Sequence, residues 1–156
     1  MDKSQCSISD GALVQTATYD PSQPDLDDLA INYLSCTVFA RQTFTVEEGG
    51  GLDFRAQFIA PTERGTWPAF WLTGTQGWPP EIDMAEWKGS GKISFNTFNT
   101  SSEVSAVDTD YPHEDEWHSV HAQLRDAGSG NVVTKFFMDG QLLSTQYADG
   151  YIGKGL

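Results

Sequence analysis

The segment Leu52-Asp53-Phe54-Arg55-Ala56-Gln57-Phe58 alternates apolar and polar residues without a break, so Leu52, Phe54, Ala56 and Phe58 share one face and Asp53, Arg55 and Gln57 the other. A period of two demands a strand with one dry and one wet face, and a second layer to cover the dry one. Ala12 to Tyr19, Val38 to Val46, Trp67 to Thr73, Ile93 to Thr100, His118 to Leu124 and Val132 to Met138 read as further strands, divided by Gly, Pro and Asp clusters. Asp139-Gly140, between Phe136-Phe137-Met138 and Gln141-Leu142-Leu143, signals a two-residue hairpin, because a type I′ turn needs positive φ at both positions. Only Leu26 to Tyr33, inside the loop Asp20 to Asn32, has room for a helical turn. The fold class is all-β, an antiparallel sandwich of jelly-roll, concanavalin-like type.

At 156 residues the chain is one domain, 1–156, able to bury roughly 70% of the surface its unfolded form exposes. It stops at Gly153-Lys154-Gly155-Leu156, where another strand is expected, so the sandwich is expected to be incomplete at its C-terminal end. Nine Lys and Arg against 22 Asp and Glu leave a formal charge of −13, which repels nucleic-acid phosphates and anionic membranes. A neutral partner is the default, and the chain is expected to be a monomer. No apolar run is long enough to span a membrane, and Met1-Asp2-Lys3-Ser4-Gln5 opens no signal peptide. The chain is therefore intracellular or written without its leader. Cys6 and Cys36 fit no zinc spacing; they are either a disulfide, stabilising by roughly 3 to 4 kcal/mol, or two buried thiols.

One strand-like segment breaks the pattern. Trp78-Pro79-Pro80-Glu81-Ile82-Asp83-Met84-Ala85-Glu86-Trp87 places three carboxylates in an otherwise apolar run, and acids are seldom buried without a reason. Alternation puts Glu81 and Asp83 on one face, but Glu86 has the wrong parity. A β-bulge near Met84-Ala85 returns Glu86 to that face and sends Trp87 into the core. The glutamates then lie about four strand steps, ~13 Å, apart at Cα, with carboxyls ~6 Å apart, nearer the retaining than the inverting glycosidase spacing. Three acids on one face cannot all ionise cheaply, so at least one must hold its proton to higher pH, as a general acid requires. A solvated edge strand is the alternative, and the flanking apolar residues disfavour it.

Gly65-Thr66-Trp67-Pro68-Ala69-Phe70-Trp71-Leu72 followed by the acid strand resembles the signature of glycoside hydrolase family 16, in its bulged E-x-D-x-x-E, laminarinase-like branch. Weaker similarity runs from about Cys6 onward: Trp117-His118-Ser119-Val120 resembles a further strand of that family, and Phe137-Met138-Asp139-Gly140 its V-D-G hairpin. The resemblance implies Glu81 as nucleophile, Glu86 as acid/base and Asp83 as the residue that tunes their protonation. It also implies more strands after the last hairpin than this chain has, and an extracellular setting with the leader absent. Where many relatives carry a histidine-bearing strand, this chain reads Phe95-Asn96-Thr97-Phe98-Asn99, so Asn96 or Asn99 is expected to bond sugar hydroxyls instead. Asn99-Thr100-Ser101 is also a glycosylation sequon.

Sugar rings stack on aromatic faces, and Trp78, three residues before Glu81, is the expected platform. Trp67 and Trp71 share the face opposite Phe70 and Leu72 and read either as further platforms or as core. Trp87 and Trp117 read as core. His118 and His121, three apart, aim at opposite faces, so no shared metal site is expected, and neither Asp25, Asp27 and Asp28 nor Asp108 and Asp110 have EF-hand spacing. No metal or cofactor is called for. The expected activity is a retaining endo-glycosidase on a neutral β-linked polysaccharide, a β-1,3- or β-1,3-1,4-glucan. Its rivals are a lectin-like module, which would keep the tryptophans without needing three acids, and a polysaccharide lyase, which needs a cationic cluster beside the acids that the sequence lacks.

Overall fold

The computed structural model describes residues 2–156, which form two compact units, one ending at Gln42 and one spanning Thr43–Leu156. In the first, a 3-10 turn at Lys3–Gln5 leads into a hairpin of β1 (Cys6–Ser9) and β2 (Ala12–Gln15). The hairpin turns on Asp10-Gly11, with φ of 50° and 80°. β3 (Thr18–Tyr19) pairs with β4 (Tyr33–Leu34), so the expected strand from Ala12 to Tyr19 is two strands separated by Thr16-Ala17. The helical turn expected within Leu26 to Tyr33 does not form. Leu26 and Leu29 instead exchange backbone hydrogen bonds around Asp27 and Asp28, both at positive φ, a conformation that Asp tolerates better than most residues. Cys6 and Cys36 are joined in a disulfide with Cα atoms 5.5 Å apart, which settles their pairing.

The second unit is a sandwich of two four-stranded antiparallel sheets. One has the order β12 (Gln141–Ala148), β11 (Asn131–Met138), β10 (His118–Gly128), β5 (Gly51–Phe58). The other has the order β6 (Ala69–Thr73), β7 (Glu81–Glu86), β8 (Lys92–Phe98), β9 (Val104–Asp110). β9 was not expected. It is an edge strand with mostly exposed side chains, which have no dry face to give a period-two signal. Val38 to Val46 forms no strand; its last residues meet the chain's end through an isolated Thr45–Gly155 bridge and paired Phe44–Leu156 backbone bonds. Asp139 and Gly140, at φ of 50° and 80°, make the expected hairpin, and the Asp139 carboxylate also accepts from Ser119 N at 2.8 Å and meets His118 Nδ1 at 2.7 Å.

Ile82, Met84, Trp87, Ile93 and Phe95 from one sheet face Val120, Leu124, Val132 and Phe136 from the other. Trp87 is wholly buried, with the rings of Phe58 and Tyr111 each 5.4 Å from its own. Trp117, by contrast, is 57% exposed just ahead of β10, so the core position expected for it is overturned: one residue of strand parity from buried His118, it faces outward. Trp87→Ala should cost about 3 to 5 kcal/mol, the range for emptying a buried Trp site. Thermal melts should show a large drop in Tm for the alanine variant and a smaller one for Trp87→Phe; equal melts for parent and Ala would place Trp87 outside the core.

Candidate active site

β7 carries the acids and is bulged as its sequence requires. Asp83 pairs with Asn96 and Glu86 with Ser94, leaving two residues of β7, Met84 and Ala85, against one of β8, Phe95, while on the other side Phe70 and Trp71 pair with Ala85 and Asp83. The extra residue sits at Met84-Ala85, both buried, and the shift sets Glu86 on the face of Asp83 while Trp87 enters the core. Asn96 demonstrates the shared face directly: its Nδ2 donates to Asp83 Oδ2 and to Glu86 Oε2, each at 2.8 Å.

Each glutamate is also held by an indole. Trp78 Nε1 donates to Glu81 Oε2 at 2.9 Å, and Trp67 Nε1 donates to Glu86 Oε1 at 2.6 Å. Trp78 is 49% exposed and tilted against Phe98, with ring centres 5.5 Å apart. Trp71 lies across from Asp83 on β6 and is likewise about half exposed, so the core reading is overturned for both Trp67 and Trp71. Asn99 lies beyond the end of β8, where its Oδ1 accepts from Asp149 N at 3.0 Å, while Asn96 joins the acids. Asn96 and Asn99 have opposite strand parity, which separates them.

Two participants escaped the sequence reading. Lys88 Nζ lies 3.5 Å from Glu86 Oε2 and 4.0 Å from Asp108 Oδ1, the only cation paired with the acid strand among the described residues. Tyr151, buried after the last hairpin, accepts from Glu81 N at 2.8 Å and donates to the Phe98 carbonyl, tying the start of β7 to the end of β8. Burial pushes its hydroxyl up to about 12, so it stays neutral beside the acids. No local motif marks either residue; their roles come from the register of distant segments.

Burial, opposed by the Asn96 bond and reinforced by the charges of Glu86 and Glu81, pushes Asp83 up to about 6. Burial also raises Glu81, against the Trp78 hydrogen bond and with the Glu86 charge adding to the shift. The sign of the linkage follows for Asp83: the folded chain binds its proton more tightly than the unfolded chain, so stability falls as pH rises from about 4 to about 6. Asp83→Asn keeps an oxygen for Asn96 and removes the buried charge. It should therefore stabilise the fold at pH 7, by on the order of 2 to 3 kcal/mol, with the gain vanishing below about pH 4. Denaturant titrations at the two pH values test this; an equal difference at both would show that Asp83 titrates alike in the folded and unfolded chain.

Two glutamates spaced along one strand, an aspartate between them and indoles beside them, all set on one face of a β-sandwich, are suited to nucleophilic and acid/base work on a glycosidic bond. Residues 29–145 match glycosyl hydrolases family 16, and the chain belongs to that family. A galactan endo-beta-1,3-galactanase of Flammulina velutipes is 42% identical over 149 residues, which are 93% of this chain and 60% of that protein. The endo-1,3-1,4-beta-glycanase EglC of Rhizobium meliloti (strain 1021) is 33% identical over 84 residues, 53% of this chain and 17% of that one. This chain thus spans 60% of the length of the first relative and 17% of that of the second. A solved prokaryotic beta-1,3-1,4-glucanase (lichenase) derived from a mouse hindgut metagenome superposes with a TM-score of 0.67 at 18% identity, over 97% of this chain and 67% of that one. That likeness shows the jelly-roll fold.

Proposed function

We propose that the protein is a retaining endo-glycosidase acting on a neutral polysaccharide with β-1,3 linkages. The observation that carries the reading is the alignment of Glu81, Asp83 and Glu86 on one open sheet face by the bulge, with Asn96 spanning the last two. Glu81 attacks the anomeric carbon while Glu86 protonates the leaving oxygen, and Glu86 then deprotonates the water that releases the glycosyl-enzyme. Up to about pH 6 Asp83 holds a proton beside both and limits the negative charge that they share. Trp78, Trp71 and Trp67 offer exposed aromatic faces to sugar rings along the same surface.

The names of the relatives have β-1,3 linkages in common, and the 42% identical one is called a galactanase, which supports a β-1,3-galactan beside the β-1,3- and β-1,3-1,4-glucans favoured by the motif. The disulfide supports an oxidising, extracellular setting. A lectin-like role leaves the buried aspartate without a purpose, and a lyase needs a group of cations to neutralise a uronate where, among the described residues, Lys88 alone pairs with the acid strand. The deciding experiment is a reducing-end assay of the purified chain on β-1,3-galactan, laminarin, lichenan, agarose and a glucuronan. Release from a β-1,3-linked neutral chain, with the β-anomer formed first by NMR, is the expected result. Ultraviolet-absorbing products from the glucuronan, or no release from any substrate, would overturn it.

A further inference from the structure

Both oxygens of Glu86 are occupied. Oε2 accepts from Asn96 Nδ2 at 2.8 Å and lies 3.5 Å from Lys88 Nζ; Oε1 accepts from Trp67 Nε1 at 2.6 Å. A general acid must present a proton on one oxygen to the leaving group, and a carboxyl oxygen that carries a proton is a weaker acceptor than a carboxylate oxygen, so the N–H aimed at it holds it less tightly. The oxygen whose donor gives way most easily is then the one best placed to turn its proton toward substrate.

The two partners differ in freedom. Asn96 is 3% exposed, stands in the middle of β8 and gives its second N–H to buried Asp83, so withdrawing it would strip two acids at once. Trp67 is 69% exposed, precedes β6 and makes no ring contact with another aromatic among the described residues. Its indole can move with little disturbance to the fold. Resting on the glycosidase reading above, we infer that Oε1 is the oxygen of Glu86 that exchanges the proton, and that Trp67 is a positioning residue whose N–H latches Oε1 until substrate displaces the ring.

The step balances without any other reactant. Once the ring has moved, Oε1 takes a proton from solvent. That proton passes to the glycosidic oxygen as the C1–O bond breaks, and a Glu81 oxygen bonds to C1. Water then bonds to C1 and returns a proton to Oε1 while the ester C–O bond breaks. The charged and titratable groups around Glu86 are Glu81 and Asp83 on its own strand, Lys88 just after it, and Asp108 on β9, which reaches Lys88 and accepts from Ser94 of β8. From the segment before β6, which also carries Glu63 and Arg64 with their backbone against Gly89, the indole of Trp67 is the group bonded to Glu86.

Trp67→Phe keeps an aromatic face and removes the N–H. The alkaline limb of kcat/KM reports the free enzyme, in which the latch is closed, and that of kcat reports the substrate complex, in which it is open. In the variant the first limb should be displaced from its place in the parent, because only the free enzyme loses a partner of Glu86, while the second stays where it is. A residue that only stacks on sugar would change KM and leave both limbs in place. As a second readout, in the Glu81→Gln chain the ¹⁵N-labelled indole signal absent from Trp67→Phe should shift and exchange faster with solvent when a trisaccharide of the cleaved backbone saturates the site. Unmoved limbs in an active variant, or an indole proton equally protected with and without the trisaccharide, would overturn the latch alone. A parent that hydrolyses no polysaccharide would overturn the glycosidase reading, and the latch with it.

Discussion

Glu81→Gln should reduce turnover of the parent's polysaccharide by about 10⁴-fold or more, with affinity for that polysaccharide kept within a few-fold. The amide oxygen of Gln can still accept from Trp78 Nε1, and the backbone N–H is still held by Tyr151, so the side chain keeps its place and loses only its charge. Since no other carboxylate is set at that end of β7, nothing replaces the covalent step. Single-turnover kinetics with affinity electrophoresis in polysaccharide gels would separate the two effects. Turnover within tenfold of the parent would remove Glu81 from the nucleophile role.

Glu86→Ala should fail on polysaccharide by a comparable margin but still react with an aryl glycoside whose leaving group needs no proton. Glu81 can then attack, but no base remains for the second step, so the glycosyl-enzyme should accumulate. Azide, small and already anionic, should enter the space left by Glu86 and give a β-glycosyl azide, the substrate's configuration restored by two inversions. An α-azide would mean direct displacement and an inverting site. Unimpaired hydrolysis without an azide adduct would remove Glu86 from the reaction.

Wherever a strand has one dry and one wet face, its residues announce it: β5, β10 and β11 alternate along their length, and the Asp139-Gly140 turn joins β11 to β12 for the reason that its residue types supply. The same turn chemistry at Asp10-Gly11 built the hairpin of β1 and β2, although the short, exposed strands around it carry no alternation. Edge strand β9 and the segment 38–46 differ from what their sequences suggest for related reasons: one is a strand with little burial to impose a pattern, the other an apolar stretch that pairs with the chain's end by one bridge only. At the site, the acids and their bulge were legible because parity is a local rule. Lys88, Tyr151 and the division of work between Asn96 and Asn99 were not, since each depends on which distant backbone lies beside it.

The bulge at Met84-Ala85 also bears on how such a strand can change by descent. Loss of one codon there, removing Ala85, leaves the order Glu-Ile-Asp-Met-Glu-Trp, a regular alternation with no residue to spare. The three acids remain on one face, the terminal indole still turns inward, and the glutamates keep the same separation of about four strand steps. A frame-preserving deletion inside the acid strand would thus be nearly silent for the geometry that it interrupts. Lineages with and without the extra residue can be connected by a single event, with no intermediate in which an acid faces the core.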